Sequence, residues 1–167
     1  MAADEKIDIV VNTSPWIALS ICGQISLLKR LYANVYIPQG VQEEIIAGGE
    51  HSRGVKELKS SPWLKVEKII DKSKVELLYE LERGEAEVIV LAKEKGIKHV
   101  LIDEKIARQQ ARIQELNVIG TLGLLLKAKK KGLLSSIKPL VLSIRDNGIW
   151  IKDEIVSGIL KDAGEEL

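Results

Sequence analysis

Short apolar runs rich in β-branched residues alternate along this chain with longer segments whose apolar positions recur at helical spacing. Residues 7–11, 35–37, 99–102 and 117–119 are runs of the first kind and read as buried strands. Residues 63–69 alternate apolar and polar and read as a short edge strand or flap, and residues 148–151 read as a last strand. Helices are predicted at 16–20 and 25–31 with a break near Gly23, then at 40–47, 54–59, 71–82, 84–92, 104–115, 120–131, 139–145 and 153–161. The punctuation agrees: Ser14 precedes Pro15 at a helix start, Pro38 stops a strand, and Asp146-Asn147-Gly148 signals a turn. Strand–helix alternation of this kind predicts an α/β fold with a mainly parallel central sheet.

Projecting the helices changes the picture, because some carboxylates fall where apolar residues are expected. At about 100° per residue, Val88, Ile89, Ala92 and, at its margin, Leu91 form the apolar face of the segment opening at Gly84. Glu85 projects into the middle of that face, whereas Glu87 falls outside it, beside Val90 and Glu94. A carboxylate aimed at a core is costly unless something pairs with it. Two readings stand: an acid favoured by the helix dipole in the first turn, or a member of an internal site. In the segment 40–47, Val41 and Ile45 mark the buried side. Glu44 lies on its shoulder, as a site residue or a surface acid, and Glu43 points nearly opposite, into solvent. Asp103 follows the strand at 99–102, where α/β folds bind ligands and where Asp also serves as a helix N-cap. Asn12 holds the equivalent place after the first strand.

Composition narrows the chemistry. A chain of 167 residues suits one domain, expected as a polar tail over residues 1–6 and a single domain over residues 7–167 that ends in a helical extension. One cysteine, Cys22, excludes an intrachain disulfide and suits a reducing, cytoplasmic location. Two histidines, His51 and His99, with that one cysteine argue against zinc. No segment reads as a signal peptide or a membrane span. With a net charge of +1, any contact with nucleic acid must use local patches. Arg108 and Arg112 share a helix ridge, with Glu104 placed to pair with Arg108. Lys127, Lys129, Lys130 and Lys131 end the helix at 120–131, either to bind phosphate or to complement the helix dipole. The phosphate-loop and dinucleotide-binding glycine patterns are both absent from the sequence.

Five segments together resemble the PIN-domain superfamily, in particular a prokaryotic PIN-like branch related to toxin–antitoxin ribonucleases. They are Val11-Asn12-Thr13-Ser14-Pro15, residues 38–45, 84–92 and 101–108, and Gly120-Thr121-Leu122-Gly123. The resemblance implies a three-layer α/β/α sandwich with acids gathered at the strand ends. It aligns Asn12, where catalytic members usually carry Asp, with Glu44, Glu85 and Asp103 as metal-holding positions, Thr121 as the polar residue opening the helix after the fourth strand, and Glu87 and Glu104 as auxiliary ligands. Implied with these are Mg²⁺ or Mn²⁺ and hydrolysis of RNA phosphodiester bonds; because the net charge offers no broad basic surface, Arg108, Arg112 and the lysine run are the candidates for phosphate contacts. An antitoxin-like protein partner and a homodimer are further implications, with no membrane association. Carboxylate clusters suit such ions, which prefer oxygen ligands and assist phosphodiester hydrolysis. Two alternatives stay open: a non-catalytic binding module, favoured by the neutral Asn12, and another Mg²⁺-dependent phosphotransfer domain using Asp103 as phosphoacceptor.

Overall fold

The strand-forming runs pair into one five-stranded parallel sheet: β1 (Ile9–Val11), β2 (Val35–Pro38), β3 (Leu64–Glu67), β4 (His99–Leu101) and β5 (Asn117–Ile119), in the order β3-β2-β1-β4-β5. The structure, a computed structural model, describes residues 5–166. Residues 1–4 of the expected tail, and residue 167, lie outside the described residues. Central strands covered on both faces need continuous apolar sequence, and Ile9, Val10 and Val11 are fully buried. In register, Val10 pairs with Tyr36 on one side and Val100 on the other. The chain builds outward from β1 through β2 to β3, then returns to add β4 and β5 on the opposite side. The order therefore reverses between β1 and β4, and in sheets of this kind ligands bind in a crevice at the carboxyl ends of the strands beside such a reversal.

Helices cover the sheet as a three-layer α/β/α sandwich. They are α1 (Thr13–Ile21), α2 (Ser26–Leu31), α3 (Gln39–Ala47), α4 (Val55–Lys59), α5 (Lys72–Leu77), α6 (Arg83–Lys95), α7 (Lys105–Ile113), α8 (Thr121–Lys130), α9 (Lys138–Asp146) and α10 (Asp153–Asp162). Two expectations change. The helix expected over 71–82 stops at Leu77, because Leu78 and Leu81 donate to carbonyls three residues back, and Glu82 starts a new helix as the N-cap of α6. The strand expected over 148–151 is a loop. The backbone N–H groups of Gly148 and Ile149 turn back to Arg145 and Ile144 and close α9.

α6 is the most enclosed helix in the fold. It lies on β1, β2 and β4 and is flanked by α3, α5 and α7. Every residue from Ala86 to Ala92 is buried, Glu87 among them at 3% exposure. The wheel placed Glu87 outside the apolar face; burial on every side leaves this helix no solvent face at that point. The Glu87 carboxylate is satisfied by the backbone N–H of Gly40 at 3.1 Å, in the first turn of α3, and by Arg83 at 2.6 Å. α3 returns the contact: Glu44 accepts from the backbone N–H of Gly84, in the first turn of α6, at 3.0 Å. Each helix thus places a carboxylate on the positive end of the other. Both N–H donors belong to glycines because the approach is close: a Cβ at Gly40 would lie 2.6 Å from the Glu87 carboxylate, and one at Gly84 2.3 Å from that of Glu44.

A second carboxylate closes the C-terminal layer. Glu165 accepts from the backbone N–H groups of Ile137 (2.9 Å) and Lys138 (3.0 Å), from Ser136, and from Lys129 at 2.8 Å, so it caps α9 from a distant part of the chain. Burial works against its charge, but these four donors together hold the carboxyl down at about 2.

Two stability predictions follow from these carboxylates. Glu87→Ala leaves the buried Gly40 N–H without its acceptor and removes one of the two carboxylates that Arg83 pairs with, and is expected to cost about 2–3 kcal/mol in urea unfolding. Glu43→Ala, which removes only the exposed Arg83 pair, should change stability by less than about 1 kcal/mol. Because the Glu165 carboxyl lies below its ordinary value of 4.5, it stabilises the fold above that pH. The contribution is lost as pH falls towards 2. Acid titration of Glu165→Gln should therefore show a smaller loss of stability across this window than wild type.

Candidate functional site

Asn12 follows β1 directly and occupies the N-cap position of α1. Asn is favoured there because its side-chain oxygen can accept from the first turn, yet Asn12 makes no such bond. The residue is 2% exposed, and its Oδ1 is buried without any hydrogen-bond partner. Helix capping therefore does not account for this side chain.

The acids stand on either side of Asn12 in strand order. Towards β2, Glu44 is fixed by Thr13 Oγ1 (2.6 Å) on one oxygen and by the Gly84 N–H on the other. Glu85, half-buried, turns its Oε1 back to the Glu82 N–H at 3.1 Å in a capping box. Burial raises the Glu85 carboxyl above the ordinary carboxylate range, against the Glu82 hydrogen bond, and the neighbouring charges of Glu104, Glu82 and Glu44 raise it further. Towards β4, Asp103 accepts from Thr121 N–H (2.7 Å) and Thr121 Oγ1 (2.6 Å), with Thr121 itself buried. Asp103 is thus not the N-cap of α7, a position Glu104 fills; it anchors the first turn of α8 instead. Among the described residues, no three Asp, Glu, His or Cys side chains stand close enough together to hold a metal ion.

Beside Asp103 opens a cavity of about 790 Å³ that runs from Thr121 to the loop between α9 and α10. Arg108 and Arg112 line it, as do Lys105 and Lys152. The expected Glu104–Arg108 side-chain pair does not form: Arg108 Nη1 donates to the Ile102 carbonyl at 2.9 Å, which turns the guanidinium towards the sheet edge. Burial lowers the Arg108 pKa, Arg112 lowers it further, and Asp103 partly offsets both.

A family model described as a PIN domain matches residues 8–165. The chain belongs to the PIN-domain family. No curated protein matched it. The switch-point crevice and the candidate residues Asn12, Glu44, Glu85, Asp103 and Thr121 all lie within the matched span of this PIN domain.

Other expected site residues are engaged elsewhere in the PIN domain. Glu87, expected as an auxiliary ligand, is committed to Gly40 and Arg83. α8 starts at the site and runs about 15 Å back along the sheet, so the lysine run sits at the opposite, amino-terminal edge. There Lys127 lies over the Tyr32 ring at 4.7 Å, and burial lowers the pKa of His99, the first residue of β4, with the Lys127 charge lowering it further. Lys129 is tied to Glu165 and to the Ala163 carbonyl, Lys130 is exposed, and Lys131 also belongs to this end of α8. Sequence reasoning missed Thr13, the donor that fixes Glu44; the polar triplet after β1 is its only signal. Trp150 is 77% exposed on the cavity wall. Among the described residues, no helix is long and apolar enough to cross a membrane.

Glu85 generates a pH prediction. A carboxyl raised above 4.5 in the folded state favours the protonated fold, so its contribution to stability is fully present below that pH and lost as pH rises through the folded value. Glu85→Gln keeps an acceptor for the Glu82 N–H and removes the charge. At neutral pH the variant should unfold at the same or a higher temperature than wild type, and the difference should vanish in acid. A variant clearly less stable at neutral pH would show that the Glu85 charge supports the fold.

Proposed function

We propose that this PIN domain is a divalent-metal-dependent nuclease that hydrolyses RNA phosphodiester bonds, with Asn12, Glu44, Glu85 and Asp103 around the metal position. The observation that carries the reading is the Asn12 oxygen: buried, without a donor, and at the carboxyl end of the central strand where the sheet order reverses. A buried acceptor left unpaired is costly, and a cation would satisfy it. The donor types suit a hard ion, since every candidate is a carboxylate or carboxamide oxygen, and binding one would draw Glu44, Glu85 and Asp103 together from the separate backbone donors that now hold them. Glu104, whose charge acts on Glu85, is an auxiliary donor. Mg²⁺ or Mn²⁺ held there supplies Lewis-acid stabilisation of the charge that develops on a phosphodiester.

The protein's own groups prepare the remaining conditions. Thr13 and Gly84 orient Glu44, and Thr121 orients Asp103, so these two carboxylates are set before any ligand arrives. Burial, and after it the charges of Glu104, Glu82 and Glu44, raise the Glu85 proton affinity, which suits Glu85 to exchange its proton for a cation. Arg108, braced on the Ile102 carbonyl, offers positive charge beside Asp103 for a phosphate oxygen. Both Asp103 oxygens accept from Thr121, which suits a fixed ligand better than a phosphoacceptor. A second reading, an RNA-binding module without cleavage, is favoured by the neutral Asn12 and by the separation of the carboxylates into two hydrogen-bonded groups.

Calorimetric titration separates the readings. Wild type is expected to bind Mg²⁺ weakly and Mn²⁺ more tightly, and chelation should abolish cleavage of single-stranded RNA. Asn12→Asp adds a charge to the crevice and should tighten Mn²⁺ binding about tenfold while raising cleavage. Unchanged affinity in that variant would remove Asn12 from the metal position. Metal binding without cleavage in either form would select the binding module.

A further inference from the structure

The cavity beside Asp103 has a composition that the proposed hydrolysis does not use. Its floor is apolar, with Ile119 of β5 and Leu122 of α8, and its far wall is the loop between α9 and α10, which presents Trp150. The other two tryptophans pack together, Trp16 fully buried and its ring centroid 6.4 Å from that of Trp63. Trp150 instead leaves 77% of its surface in solvent. Lys105, Arg108, Arg112 and Lys152 line the same cavity, against Asp103 as its one acid. No ion pair with a carboxylate ties up any of these four cations among the described residues. Asp153 and Glu154 flank Trp150 on its outer side, where Asp153 pairs with Arg145.

We infer that this groove binds unpaired nucleotides adjacent to the reacting phosphate, with Trp150 as a base-stacking platform and Arg112, Lys105 and Lys152 as phosphate contacts. The inference rests on the RNA reading of the site but on neither the metal nor cleavage. An exposed indole beside unpaired cations matches the two features of a single strand that any sequence offers, a base face and a phosphate. Paired bases are stacked within their helix and offer no free face to an indole. The groove opens directly onto Asp103 and Thr121, so a strand lying in it is continuous with the reacting phosphate. The lysine run at the opposite edge of the sheet lacks that continuity.

The test is fluorescence anisotropy of a labelled oligouridylate of about ten nucleotides and a duplex of the same length, with EDTA present so that nothing is cleaved. Trp150→Ala should weaken single-strand binding about tenfold, and Trp150→Phe should recover most of the loss. Arg112→Ala should lower the slope of log affinity against log salt by about one phosphate contact, and Lys130→Ala should leave binding unchanged. Unchanged affinity in Trp150→Ala, an equal loss on duplex, or no binding by wild type would each overturn the groove. So would a Trp150→Ala variant whose mass in solution changes while its RNA affinity does not, which would make the loop a contact between copies of this chain. Failure of the Mn²⁺ titration with single-strand binding intact would sink the metal reading and leave the groove standing.

Discussion

The exchange of carboxylates between α3 and α6 is the constraint on which the rest of the site depends. Helix termini carry N–H groups with no partner inside the helix, and here each helix supplies the other's acceptor, Glu87 to Gly40 and Glu44 to Gly84. The arrangement sets the distance between α3, which follows β2, and α6, which precedes β4, and so fixes one side of the crevice. It also divides the acids by duty. Glu87 is buried and structural. Glu44, bonded to the same helix pair, keeps its carboxylate near Thr13 at the edge of the crevice. The Gly-Glu-Ala-Glu segment at residues 84–87 therefore contains a glycine for close approach, a half-buried acid for the site and a buried acid for the fold.

How much of this was legible in the sequence depended on the distance over which each determinant acts. Strands β1, β2, β4 and β5 followed from local apolar runs, and the break between α1 and α2 from Gly23. The PIN-type sandwich followed from the alternation of these elements and from the resemblance of five segments. Glu44 and Glu43 were separated correctly by the helical wheel, because α3 has one buried side. The same wheel misread Glu87, because a wheel assumes a solvent face and α6 has none there. The loop at 148–151 was misread as a strand because its β-branched residues do satisfy an apolar demand, that of the cavity wall, without a neighbouring strand to pair with. The partners of Asp103 and Glu165 lie 18 and 27 or more residues away, beyond any local pattern.

The crevice carries costs that the rest of the molecule avoids. Among the described residues the other buried side-chain polar atoms are paired; Glu87, for example, accepts from the Gly40 N–H and from Arg83. At the end of β1 an amide oxygen is buried with none, and on α6 a carboxyl is pressed towards its neutral form by burial and by other acids. Local departures of this kind, in a fold otherwise consistent from propensity to packing, are what a functional or strained site is expected to show.

The bond from Glu165 to the start of α9 has a consequence for how the protein is made. Every group placed at the crevice lies between residues 12 and 121 and has been synthesised well before Glu165 leaves the ribosome. The loop carrying Trp150 has emerged as well, but α9, the helix that supports it, still lacks the acceptor for its first N–H groups, and Lys129 lacks its partner. A nascent or prematurely released chain would thus hold its acids at the sheet edge while the wall of the adjoining groove stays loosely attached. Completion of the groove waits for Glu165.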